Sequence, residues 1–183
     1  LTGRTARLLI LPALLGAAIH LRAQARPTAS RLADAQIGIG FSVAQPNYAP
    51  DNFRGLTAYA GLDLRPHLGA EFDFHQIDSP TADKSFQRTY EIGPRYFCTY
   101  GPLVPYLRVM YGRGVFAYPY DLTELSYNMF SAAAGADYKV RDALRLRLDY
   151  EYQTWTSFPN GGLHPQVLSF GVAWHVTGGP RYN

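Results

Sequence analysis

The sequence has a single cysteine, Cys98, so no intrachain disulfide can form and no thiolate cluster is available for a metal. Nor is there a run approaching the ~20 apolar residues of a membrane-spanning helix, although 47% of the 183 residues are hydrophobic and 14% are aromatic. Net charge is nearly missing as well. Arg4, Arg7 and Arg22 lie in the first 25 residues, which hold no Asp or Glu; the remainder carries 14 Lys and Arg against 14 Asp and Glu. The isoelectric point near 9.0 is therefore no sign of nucleic-acid binding, and no nucleic-acid partner is expected. No G-x-S-x-G motif occurs, and His67, His164 and His175 form no pair with metal-ligand spacing, so neither a metal nor another cofactor is expected.

The longest apolar segment opens the chain. Arg4 and Arg7 precede Leu8 to Ile19, and Ala23-Gln24-Ala25 follows. A positive region, a short apolar stretch and a small-x-small end make up a secretory signal peptide, expected over residues 1–25, with a lead-in at 26–33.

What the remaining chain has in abundance is alternation. Leu144, Leu146, Leu148, Tyr150 and Tyr152 interleave with Arg145, Arg147, Asp149 and Glu151 without a miss. Period two is the geometry of a β-strand with two unlike faces. The same pattern recurs at 36–43, 56–64, 68–76, 88–98 (where Pro94 interrupts the apolar face), 104–114, 128–139 and 168–176. These are eight candidate strands of about the length that crosses a bilayer when tilted. The connections alternate too: 65–67, 99–102 and 140–143 are tight, whereas 45–54, 78–87, 116–126 and 155–165 are longer and rich in turn residues. Long and short connections in alternation predict an all-β fold, an eight-stranded antiparallel up-and-down transmembrane β-barrel over residues 34–177, followed by a tail at 178–183.

Side-chain size decides which face meets the outside. The less apolar face carries Gly38, Gly40, Gly61, Gly69, Gly93, Gly112, Gly135 and Gly171 between long charged groups. Glycine weakens an exposed strand but suits a bore only wide enough for side chains. The other face is too bulky to fit inside; Phe41, Phe72, Phe74, Tyr90, Tyr150, Tyr152, Phe170 and Trp174 are expected to face lipid. The lumen then holds a polar network of Asp63, Glu71, Asp73, His75, Glu91, Arg95, Arg108, Asp137, Arg145, Arg147, Asp149 and Glu151, with Lys139 beside them. Its charges come near balance, as burial demands. Across the turn at 140–143 either even register sets Asp137 against Arg145 or Arg147. A soluble lipocalin-like binding barrel would invert both faces.

Three segments carry a family resemblance: Tyr90-Glu91-Ile92-Gly93-Pro94-Arg95-Tyr96-Phe97; Ala134-Gly135-Ala136-Asp137-Tyr138 with Leu146 to Tyr152; and Leu168 to Val176. In their order and repetition the chain resembles the small outer-membrane β-barrel proteins, the OmpA/OmpX-like eight-stranded group. The resemblance implies export to the bacterial outer membrane, contact with its lipids and with the barrel-assembly machinery, and access to any extracellular ligand through the long loops. Family members commonly end on an aromatic residue that the machinery recognises; here Thr177 to Asn183 follows the last strand.

The resemblance admits enzymes that modify lipid A, and His75, with Asp73, Glu71 and Ser79 nearby, could form an ester-cleaving set at the rim. A lumenal histidine needs no such role, and eight strands leave no open water channel. The expectation is a non-enzymatic barrel with a side-chain-plugged lumen and a structural or surface-interaction role; a lipid A acyl hydrolase or transferase is the alternative.

Overall fold

A computed structural model of the chain describes residues 34–47, 51–80, 85–117, 124–156 and 162–175. The expected signal peptide, lead-in and C-terminal tail lie outside the described residues. Eight strands follow in order: β1 (Asp34–Gln45), β2 (Phe53–Arg65), β3 (Leu68–Asp78), β4 (Phe86–Phe97), β5 (Leu103–Ala117), β6 (Glu124–Arg141), β7 (Leu144–Trp155) and β8 (Gln166–His175). Each pairs antiparallel with the next, and β1 pairs with β8 from Gln36↔His175 to Gln45↔Gln166, which closes the barrel. Closure satisfies the edge strands; His175 Nδ1 also stands 3.0 Å from Asp34 Oδ2 across the seam.

The strands run beyond the alternating segments at the long-loop end. Phe116↔Leu125 and Ala117↔Glu124 still pair, although 116–126 reads as loop in the sequence. Pairing needs only backbone, whereas alternation needs two unlike environments. Arg113 and Asn128 face outward opposite each other there, so the apolar belt ends before the ladder does. Phe53, Asp78, Phe86, Gln87 and Trp155 are likewise strand rather than loop. The short-turn end is as tight as expected. Gly101, at φ 59°, and Pro102 form the β4–β5 tip, closed by Tyr100 N donating to Leu103 O at 2.8 Å. Pro94, which lacks an N–H, leaves a gap in the β4–β5 ladder; the pairs on either side, Ile92↔Tyr111 and Arg95↔Arg108, keep one register.

The two faces separate cleanly. Ile39 is 72% exposed and Ile92 62%, whereas Arg95, Asp137 and Glu151 are 0% exposed. The inverted, lipocalin-like arrangement is thereby excluded. Phe41, Phe72, Tyr90, Tyr150, Tyr152, Phe170 and Trp174 all stand on the outer wall; Phe74 is half-buried there because its ring packs 5.2 Å from that of Tyr90.

Inside, apolar plugs close both ends around a polar middle. Ala44, Phe53, Ile77 and Val167 form one cluster at the long-loop end, and Phe116, Met129, Trp155 and Leu163 form another. Phe97, Val104 and Tyr106 fill the short-turn end. Glycine makes room for the largest rings. A methyl group at Gly38 would lie 2.1 Å from Tyr59 Cζ, and one at Gly114 would lie 2.4 Å from Trp155 Cη2. Gly38→Val should therefore displace the Tyr59 ring and cost about 1–3 kcal/mol. The urea midpoint for unfolding in detergent measures it; an unchanged midpoint would show that Tyr59 has room to move.

Candidate functional site: the lumenal network

Strand parity aims every second side chain of β2 to β7 into the bore, and tilt sets the height at which residues from different strands meet. Near the short turns Arg147 and Arg95 share Asp137. Arg147 Nε donates to Asp137 Oδ1 at 2.8 Å, and Arg95 Nη2 donates to Asp137 Oδ2 at 2.6 Å. Of the two arginines the sequence sets against Asp137, Arg147 is the partner, directly opposite in register. Arg95 Nη1 reaches the largely buried Asp63 at 3.3 Å. Arg147 also grips Glu71 with two parallel bonds, Nη1 to Oε1 at 2.9 Å and Nη2 to Oε2 at 3.0 Å. Bidentate pairing of this kind is the strong, directional form of the ion pair.

Arg108 forms the next tier. Its Nη1 donates to Glu71 Oε1 at 2.8 Å and to Asp73; its Nη2 donates to Asp149 Oδ2 at 2.5 Å and to Glu151 Oε2 at 2.8 Å. Glu71 thus joins two arginines, and Arg108 joins four carboxylates drawn from β3 and β7. Above it Glu91 accepts from Ser131 Oγ at 2.5 Å and from Gln153 Nε2 at 3.3 Å. Gln153 Nε2 also reaches Glu151 Oε1 at 2.7 Å, and the Trp155 indole N–H donates to Gln153 Oε1 at 3.0 Å. The polar column ends under that indole.

Eleven of the twelve sequence-expected lumenal residues meet in this column; Arg145 is half-buried by the short turn, opposite Lys139, and joins no ion pair with the others. Two tyrosines belong to the network although the sequence reading did not single them out. Tyr106 OH donates to Asp149 Oδ1 at 2.6 Å. The Arg147 guanidinium lies 3.8 Å over the Tyr59 ring and 4.7 Å over that of Tyr106. Their inward parity was the available signal.

The charge balance differs from the sequence tally. Six carboxylates (Glu71, Asp73, Glu91, Asp137, Asp149 and Glu151) are buried with three guanidiniums, Arg95, Arg108 and Arg147. Lys139 and Arg145 add two positive charges to the sequence tally but sit at the half-exposed turn end. One guanidinium offers five donors, so three can hydrogen-bond more carboxylates than they neutralise.

The ester-cleaving set does not assemble. His75 is 1% exposed and points into the bore, with Nε2 4.0 Å from Asp73 Oδ2 and 3.9 Å from Glu151 Oε2. Ser79 lies past the end of β3, roughly 13 Å further along at the strand rise of ~3.3 Å per residue. No hydrogen bond joins the two among the described residues, and Ser79 N instead donates to Ser85 O at 2.8 Å.

Deleting the Arg108 guanidinium should leave Glu71, Asp73, Asp149 and Glu151 facing one another without their shared donor. Arg108→Met is expected to cost about 3–5 kcal/mol, read as a fall in the urea midpoint and as loss of heat-modifiable migration. Arg113→Met, on the outer wall, should change stability by no more than about 0.5 kcal/mol. Equal effects at both sites would show that the lumenal pairs are not integral to folding.

The sequence matches the model of the outer membrane protein beta-barrel domain over residues 9–175. No curated protein sequence matches it. Among solved structures the chain is similar to Neisserial surface protein A, at 14% identity over 78% of this chain and 96% of that one, with a TM-score of 0.65. It is similar also to Ail, the attachment invasion locus protein of Yersinia pestis in complex with the heparin analogue sucrose octasulfate: 16% identity, 78% and 98% coverage, TM-score 0.54. OprG from Pseudomonas aeruginosa is 12% identical, with 80% and 97% coverage and a TM-score of 0.57. At these identities the likeness to each structure is one of fold. Through the family match, which spans nearly the whole barrel, the chain belongs to the outer-membrane β-barrel domain family and is a protein of the bacterial outer membrane.

Proposed function

We propose that this barrel is non-catalytic: its lumen is a structural strut, and its long-loop end is the surface that meets partners. The observation that supports this reading most directly is the continuous Arg–carboxylate column between two sets of apolar plugs. It fills the bore with protein groups, and among the described residues no nucleophile and base are aligned. Proteins of this class meet membrane lipids and the assembly machinery. An extracellular ligand would engage the loops at 45–54, 78–87, 116–126 and 155–165. Ail, of similar fold, is known in complex with a heparin analogue. In this chain Arg54 and Arg113 are exposed on the loop-end wall, where an anionic ligand could meet them. Residues 1–25 serve, in the same reading, as the export signal.

A plugged, non-catalytic barrel should show no stable single-channel current in planar bilayers. Lipid A mass spectra should be the same with and without the gene. Stepwise conductance would overturn the plugged lumen; a lipid A change that disappears in Ser79→Ala would restore the enzyme alternative.

The outer aromatic and aliphatic band, with Phe41, Phe72, Phe74, Tyr90, Tyr150, Tyr152, Phe170 and Trp174 in it, is on this reading the lipid-facing surface. Ile92, midway along β4 and 62% exposed, stands at its centre. Ile92→Arg should cost about 2–4 kcal/mol in a bilayer, against about 0–1 kcal/mol for Asn128→Arg near the loop end. Unfolding from phospholipid vesicles measures both; equal costs would place the membrane elsewhere.

A further inference from the structure

We propose that Asp73, His75 and Glu151 hold a divalent cation of the zinc class inside the barrel. The three residues come from β3 and β7, all are at most 2% exposed, and one ligand atom from each lies within 4.8 Å of the others. Neither ring nitrogen of His75 has a hydrogen-bond partner, and Asp73 Oδ1 has none. A buried imidazole and a buried carboxylate oxygen left in that state point to a group between them. The distances from His75 Nε2, 4.0 Å to Asp73 Oδ2 and 3.9 Å to Glu151 Oε2, are too long for hydrogen bonds. They are near the span that one small ion bridges. At metal–ligand bonds of about 2.0–2.2 Å, tetrahedral donors stand about 3.3–3.6 Å apart, so small side-chain rotations complete the site.

Charge points the same way. Around the Asp137 tier two guanidiniums face Asp137 and Glu71. Around His75, by contrast, Asp73, Asp149 and Glu151 share the one guanidinium of Arg108, and the nearby Glu91 is held by Ser131 and Gln153 with no guanidinium. A dication here offsets much of the excess of buried negative charge. Arg108 donates to Asp73 Oδ2 and Glu151 Oε2 and so fixes both carboxylates, whose remaining lone pairs, with the unpartnered Asp73 Oδ1, are open to the ion. One imidazole with two carboxylates suits a first-row divalent metal better than the all-oxygen preference of Ca2+ or Mg2+. The next inward residue of β3, Ile77, belongs to the apolar plug, so the ion would enter as the barrel forms and leave only when it opens. Sequence spacing does not show this set, because Asp73 and His75 lie on one strand and Glu151 on another across the lumen.

The test uses the full chain in a Cys98→Ser background, which removes the thiol as a competing ligand. The protein is refolded in detergent with ZnCl2, desalted into EDTA and assayed for metal. About one Zn2+ per folded chain should remain and be released on heat unfolding. Refolding with Co2+ should give the visible absorption of a nitrogen–oxygen site. His75→Gln and Asp73→Asn should each lower retained Zn2+ at least about tenfold while heat-modifiable migration persists. Only trace Zn2+ in the folded parent protein would overturn the proposal, leaving a bridging water or a proton in the gap. So would full retention in both variants. If the variants fail to fold, the stoichiometry and Co2+ spectrum of the parent protein decide the matter.

Discussion

Closing eight strands on themselves leaves a bore that only side chains can fill, and most of this molecule's chemistry follows from that width. Closure pairs β1 with β8, so no backbone edge is left open to lipid. The same closure commits alternate residues of every strand to an interior that cannot take a full set of aromatic rings. Glycine at Gly38 and Gly114 is the local consequence, since Tyr59 and Trp155 occupy the space a Cβ would need. The charged residues are the other consequence. Long flexible side chains reach across the bore, and once there they must find partners or leave a charge stranded. Glu71 answers this by accepting from Arg147 and Arg108 at once, which makes two tiers into one column.

Strand parity was legible in the sequence because it is a local property. The run from Leu144 to Tyr152 assigns Arg147, Asp149 and Glu151 to one face whatever the rest of the chain does. The Asp137–Arg147 pair was nearly legible, since a tight turn restricts the register across β6 and β7 to a few choices. The Arg108–Asp149 bond, 41 residues apart, was not. It depends on strand tilt, which fixes the height at which β5 faces β7 across the lumen and leaves no mark on either strand. The loop-end extensions were hidden for a different reason. Once the outward face no longer needs to be apolar, Arg113 and Asn128 can stand in a perfectly paired ladder that has lost its alternation. The charge excess went unseen for a related one: Arg145 has the parity of a lumenal residue but sits where the bore opens beside the turn.

His75 shows how the same neighbours can carry different chemistry at different depths. At a rim, a histidine beside an aspartate and a serine invites a hydrolytic reading. Here the imidazole is sealed beneath Ile77 and faces Glu151 from the opposite wall, while Ser79 has passed beyond the strand. A general base must reach the proton it removes, and a group under an apolar plug meets no lipid substrate. The burial that removes a catalytic role is what makes the unpartnered nitrogens informative.

A buried ion-pair network is weak support for net stability, because apolar groups of equal volume often do as well. In this barrel its value lies in register. The outer wall is apolar, so an apolar lumen would leave the two faces of each strand nearly interchangeable in lipid. A slip of one residue turns every side chain to the opposite face. With Arg95, Arg108, Arg147 and six carboxylates on the inner face, that slip would carry charges into hydrocarbon, at about 2–4 kcal/mol for each arginine at the midplane. The penalty accumulates over β3 to β7, and it falls on misaligned barrels while sparing the aligned one. The column therefore discriminates between registers even if it contributes little to the depth of the correct one, and Pro94 can break the β4–β5 ladder without shifting it.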